Sequence, residues 1–142
     1  MIHKEILVRA SPEHAFESWH RNVHLWWPKG HHPSGDPAGR MVLEAQEGGR
    51  FFEAAPDGRE IELGRIERFE PPKLLAYTFF MGTGASTPTL VEVQFVPVET
   101  GTQVQVTHRA HIAGERFSKT VPVFNRSWER VLSDFANYLE SP

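Results

Sequence analysis

The feature that most constrains this chain is a change of hydrophobic period near its end. Phe124, Trp128, Val131, Leu132, Phe135 and Leu139 recur at spacings of three and four, while Arg126, Glu129, Arg130, Asp134 and Glu140 take the opposite side. That pattern is a long amphipathic helix with one apolar stripe. Pro122 suits its first turn, where a missing N–H loses nothing, and Thr120 is placed to cap it. Such a stripe must be buried against another layer, and most of the sequence ahead of it reads as strand.

From Met41 to His108 the apolar residues change to a period of two, with breaks at Gly48-Gly49, Asp57-Gly58, Pro71-Pro72, Gly82 to Pro88 and Thr100-Gly101. Val91, Val93 and Phe95 alternate with Glu92 and Gln94, and Val104 and Val106 with Gln103, Gln105 and Thr107. Each strand therefore has a dry and a wet face, and short breaks between them make antiparallel neighbours. Asp57-Gly58 is the clearest tight turn, since both residues tolerate positive φ. Ile61 and Leu63 share a face but Ile66 is out of phase, and Gly64 between them marks a bulge that curves the sheet.

Ahead of these strands, Ile2, Ile6 and Val8 alternate with His3, Glu5 and Arg9 as a first strand ending at Ala10. Ser11-Pro12-Glu13 then starts a short helix to Trp19: a capping serine, a proline at the first position, and an acid at the positive end. Asn22 caps a second short turn that ends at Trp27. Residues Lys29 to Gly39, with three glycines and two prolines, form a loop long enough to suggest a task.

At 142 residues the chain has the length of one domain, 1–142, able to bury roughly two thirds of its unfolded surface. A formal charge of -3 argues against nucleic acid as partner, because phosphate binding uses a basic surface. With no cysteine, disulfides, thiolate nucleophiles and zinc ribbons are excluded. The first residues lack the apolar core of a secretory signal, and no apolar run is long enough to cross a bilayer, so a cytoplasmic protein without a membrane partner is expected.

The order strand, two short helices, six strands, long helix is an α+β helix-grip layout. It predicts a curved antiparallel sheet of about six to seven strands around the C-terminal helix. Ser11-Pro12-Glu13-His14-Ala15-Phe16 with Trp19, Trp26-Trp27, Gly48-Gly49-Arg50-Phe51, Gly64, Glu70-Pro71-Pro72, Gly101-Thr102, His108 and Trp128 follow one another in that layout. On these residues the chain resembles the START-like and Bet v 1-like superfamily, in the branch named for the activator of the Hsp90 ATPase. The resemblance implies a hydrophobic small molecule held between sheet and helix. It also implies cyclase- or hydrolase-like chemistry in some members, and chaperone stimulation in the eukaryotic namesake. Ser127 stands where members often carry glycine.

The candidate ligand-binding residues are Trp26, Trp27, Phe51, Tyr77, Phe79, Val93, Phe95, His108, Phe124 and Trp128. Adjacent tryptophans cannot point the same way, so one of Trp26 and Trp27 is expected inward and the other near the loop. The sheet rings either surround a ligand pocket, typically about 300 to 1,000 Å³, or meet in a core packed to about 0.74 density. The many bulky rings favour a cavity smaller than a lipid carrier needs. Tyr77 either orients a ligand carbonyl or is satisfied by a neighbouring group. His108 has a pKa suited to proton transfer near neutrality, which with Tyr77 gives an alternative enzyme reading. Glu44, Glu53, Glu62, Glu67 and Glu92 fall mostly on wet faces. His20 and His24 have i,i+4 spacing and His31-His32 follows, but Asn22 breaks the helix between the first pair, so no metal is expected, and no cofactor. His108 with His111 makes no better metal pair. The expected partner is a small apolar molecule, with a chaperone contact and a homodimer as further expectations.

Overall fold

The computed structural model describes residues 1–79, 89–110 and 115–140, with side chains described outside 115–121. In chain order the elements are β1 (Ile2–Val8), α1 (Pro12–Arg21), α2 (Val23–Trp26), a 3-10 turn (Lys29–His31), β2 (Arg40–Leu43), β3 (Arg50–Ala54), β4 (Glu60–Glu70), β5 (Leu74–Phe79), β6 (Thr89–Val98), β7 (Gly101–Ala110) and α3 (Glu115–Glu140). All seven strands join one curled antiparallel sheet in the order β1-β7-β6-β5-β4-β3-β2. The helix-grip expectation is met.

Local sequence explains most of these elements. Ser11 Oγ accepts the His14 N–H at 3.2 Å, and Pro12 opens α1. The helix runs on to Arg21, two residues beyond the expected end, because Trp19 and His20 still find partners on the core side. Asn22 holds the N-cap position of α2 without a side-chain capping bond. At the β3–β4 turn, Ala55 C=O accepts the Gly58 N–H at 3.0 Å and Ala55 N–H reaches Arg59 at 2.8 Å. Only Gly58 takes positive φ there, at 94°, so the turn uses one left-handed residue, not the two expected at Asp57-Gly58.

The phase slip read at Gly64 is real. Phe51 pairs with Gly64 but Phe52 with Glu62, and a second slip follows between Ile66 and Arg68. A Cβ built on Gly64 would overlap the Thr78 carbonyl oxygen, so the backbones of β4 and β5 approach as only glycine allows. Two bulges in one strand bend the sheet.

The long helix corrects one expectation. It begins at Glu115, so Pro122 lies inside it rather than in its first turn, and Thr120 is helical rather than a cap. Pro122 is carried on the exposed side, where its ring meets no layer. The stripe itself is as read: Phe124, Trp128, Val131, Leu132 and Phe135 are buried and Leu139 packs at the margin. Helix α3 lies against β1, where Lys4 Nζ meets Glu129 at 3.2 Å. No described helix is long and apolar enough to cross a membrane. The turn expected over Gly82 to Pro88, and His111, lie outside the described residues.

Candidate functional site

The space between sheet and α3 is filled at one end and hollow at the other. The filled end is a cluster of rings from α1, α2, β6 and α3. Trp19 sits 4.8 Å from Trp26 and 4.9 Å from Phe135, and Phe95 sits 5.2 Å from Phe16, all as ring centroids. Trp26 belongs here: it packs 4.8 Å from Phe135 and its indole N–H donates to the Ser18 carbonyl at 2.9 Å. Val93 and Phe95 are also core, fully or nearly buried on the same face.

At the other end a cavity of about 190 Å³ remains, lined by Trp27, Gly30, His31, Phe79, Val123, Phe124, Ser127, Trp128 and Val131. Trp27 is the tryptophan that faces the loop: its N–H donates to the His31 carbonyl at 3.2 Å while its ring stands 5.4 Å from Phe51. Four of the ten candidates, Trp27, Phe79, Phe124 and Trp128, thus line the cavity. Trp26, Val93 and Phe95 belong to the filled end, while Phe51, Tyr77 and His108 stand behind the wall.

His108 frames that wall. Trp128 Nε1 donates to His108 Nδ1 at 2.9 Å, and an indole N–H can only donate, so Nδ1 holds a lone pair and Nε2 the proton. Nε2 then donates to Thr89 Oγ1 at 2.7 Å, and the Thr89 hydroxyl to the Phe79 carbonyl at 2.7 Å. The relay links two cavity walls, Trp128 and Phe79, through one neutral imidazole. Burial, with a smaller effect from the N-terminal ammonium, pushes the His108 pKa down to about 4. Proton transfer near neutrality, expected of His108 from its ordinary pKa, is thereby corrected: the group is neutral and both nitrogens are engaged.

Tyr77 reaches no ligand position, and among the described residues neither its hydroxyl nor the Trp19 indole N–H near it makes a geometrically complete hydrogen bond. Burial drives the phenol pKa strongly upward, offset slightly by that nearby Trp19 group. The ring packs 5.4 Å from Phe51 and does not reach the cavity.

Glu53 is an exception among the glutamates expected mostly on wet faces: it shares the inner face of β3 with Phe51 and is fully buried. The loop after α2 folds over it: Ser34 N–H and Oγ–H donate to its two oxygens at 2.8 and 2.7 Å, and His32 Nδ1 stands 3.3 Å from Oε2. Gly39 passes so close that a Cβ there would overlap the carboxylate. Nothing in the local pattern signals this pairing, although the length of the loop marked it.

Other cavity residues left no mark as ligand contacts. Val123, Ser127 and Val131 form one i,i+4 ridge beside Phe124 and Trp128, so the helical period contains the signal. His20 and His24 line a shared surface cleft with Arg21 and Arg40, and the described residues contain no group of three or more His, Asp or Glu placed to hold a metal ion.

A curled sheet gripping one long helix, with an apolar chamber between them, defines the START-like class of proteins. The chain belongs to the family of activator of Hsp90 ATPase homolog 1-like proteins, whose profile matches residues 9–140. Among solved structures it is similar to protein MLL2253 from Mesorhizobium loti, at 15% identity, TM-score 0.74, and 98% and 96% coverage of this chain and that one. It is also similar to a Rhodobacter sphaeroides protein, at 23% identity, TM-score 0.69, and 96% and 89% coverage. A third is DynU16, from the dynemicin biosynthetic locus, at 17% identity and TM-score 0.72, covering 99% of this chain and 47% of that one. These likenesses establish the fold. Comparison with curated protein sequences gives no significant match. The family and its curved sheet are consistent with a ligand-binding cavity.

Proposed function

We propose that the protein binds a compact, uncharged ring compound between the sheet and α3. The observation that carries this reading is the cavity of about 190 Å³ with Trp27, Phe79, Phe124 and Trp128 in its walls. An apolar void of roughly 150 Å³ holds a benzene ring, and drug-sized ligands fill about 300 to 1,000 Å³. The volume therefore suits one ring or two fused rings and not a fatty acid. Aromatic walls favour a flat guest through edge-to-face and offset contacts. Catalysis draws no support from the site, since His108 is locked neutral and Tyr77 lies out of reach.

Titration calorimetry with toluene tests this directly, using Val131→Phe as the filled-cavity control. Val131 is buried and lines the void, so a phenyl group there occupies the guest's volume. The expected result is saturable binding to the native protein and at least a tenfold loss in the variant. Equal heats for both proteins would remove the cavity from consideration.

A further inference from the structure

Opposite α3 the cavity wall is Phe79 of β5 together with Trp27, Gly30 and His31 from the segment after α2, and the loop that continues from that segment hangs on the buried Glu53 carboxylate. Ser34 donates to both carboxylate oxygens, and His32 Nδ1 lies 3.3 Å from Oε2 and 3.0 Å from the Asp36 carbonyl. A carbonyl only accepts, so that nitrogen carries its proton and bridges loop and carboxylate. From the other side, Trp27 N–H donates to the His31 carbonyl and His31 N–H to Pro28 at 2.9 Å. The backbone of His31 is therefore pinned, and the residue stands on the cavity lining.

Little else on that lining can hydrogen bond. The Trp27 N–H is engaged by His31 C=O and the Trp128 N–H by His108. Among the described side chains of the lining, the His31 imidazole and the Ser127 hydroxyl are what remain. The charges of Arg130 and Asp134, which follow Ser127 on α3, act on His31. Burial, Arg130 and His32 lower the His31 pKa against a smaller opposing effect of Asp134, so the ring offers one N–H and one lone pair at neutral pH.

We infer that the cavity selects a ring bearing a single neutral hydroxyl, which His31 and Ser127 recognise, and that Glu53 is the positioning residue that sets His31 in place. This rests on the ring-binding function proposed above. A carboxylate on the same ring is disfavoured, because among the described residues no Lys or Arg side chain lines the chamber to replace its hydration.

Toluene, p-cresol and p-toluate form a matched series for the test, titrated at pH 7.5. Native protein is expected to bind p-cresol about tenfold more tightly than toluene, the upper end of what one neutral hydrogen bond supplies, and p-toluate more weakly than either. His31→Leu, at a half-buried position, should remove most of the p-cresol preference and leave toluene affinity within about twofold. Glu53→Gln should reduce the preference several-fold with His31 still present, an effect that lost stability alone does not produce. If that variant does not fold, Ser34→Ala removes one of the three donors instead. A preference that survives both the His31 and the loop variants, or p-toluate binding most tightly, overturns the inference while leaving ring binding intact. Failure of all three compounds to bind overturns ring binding, and this inference with it.

Discussion

His108 shows how a single residue can be correctly located and wrongly read. Its place at the end of β7 beside the pocket was legible, whereas its partners were not: Trp128 comes from α3 and Thr89 from the start of β6. Its burial has a measurable consequence. The unfolded chain takes up a proton near pH 6.5, while the folded protein resists until about 4. Between those values the unfolded state binds more protons, so the stability His108 supplies is complete above about 6.5 and falls as pH drops toward 4. The separation corresponds to about 3 kcal/mol. In His108→Leu, which cannot titrate, stability should be lower than native at pH 7.5 because Trp128 and Thr89 lose their partner. The gap should then narrow by about 2 to 3 kcal/mol by pH 4.5. Urea unfolding of both proteins at the two pH values measures it, and a gap unchanged by pH would refute the buried neutral imidazole.

At the scale of the element, β4 depends on what Gly64 lacks. Gly64→Ala forces a methyl group onto the Thr78 carbonyl, so the bulge must shift or β5 must part from it. A loss of about 2 to 4 kcal/mol is expected. Gly30→Ala is the control, since a Cβ there meets nothing within 4 Å, and it should change stability by less than about 0.5 kcal/mol. Equal effects in thermal melts would show that close approach is not what Gly64 supplies. The bulge was legible because a phase slip around glycine is a purely local signal. The start of α3 was not, because an interior proline costs about 3 kcal/mol and is soundly read as a helix start. Here the helix extends back to Glu115 despite it. Glu53 was illegible for a different reason: alternation tells which face a residue takes, not whether a distant loop will bring donors to that face. Its partner Ser34 lies nineteen residues away.

The whole molecule divides its interior into a packed half and a hollow half, and the sequence contains rings enough for both without saying which half stays open. Trp26 and Trp27 illustrate the limit: adjacent positions, one in each half. A guest that fills the hollow half should stabilise the fold by mass action, by about 2.7 kcal/mol at a hundred times its dissociation constant. For a chain of this size that amounts to a rise in melting temperature of roughly 8 °C. Saturating toluene in a sealed calorimeter cell tests it, with palmitate, too long for the cavity, expected to give no such rise. The order of the sheet has a consequence of another kind. Strands β2 to β7 each pair with their neighbour in sequence, but β1 pairs with β7 across a loop of roughly a hundred residues. On a ribosome adding about 5 to 20 residues per second, β1 emerges several seconds before its partner exists. During that wait it is an unpaired strand, and the polar row His3, Lys4 and Glu5 within it discourages pairing with another chain.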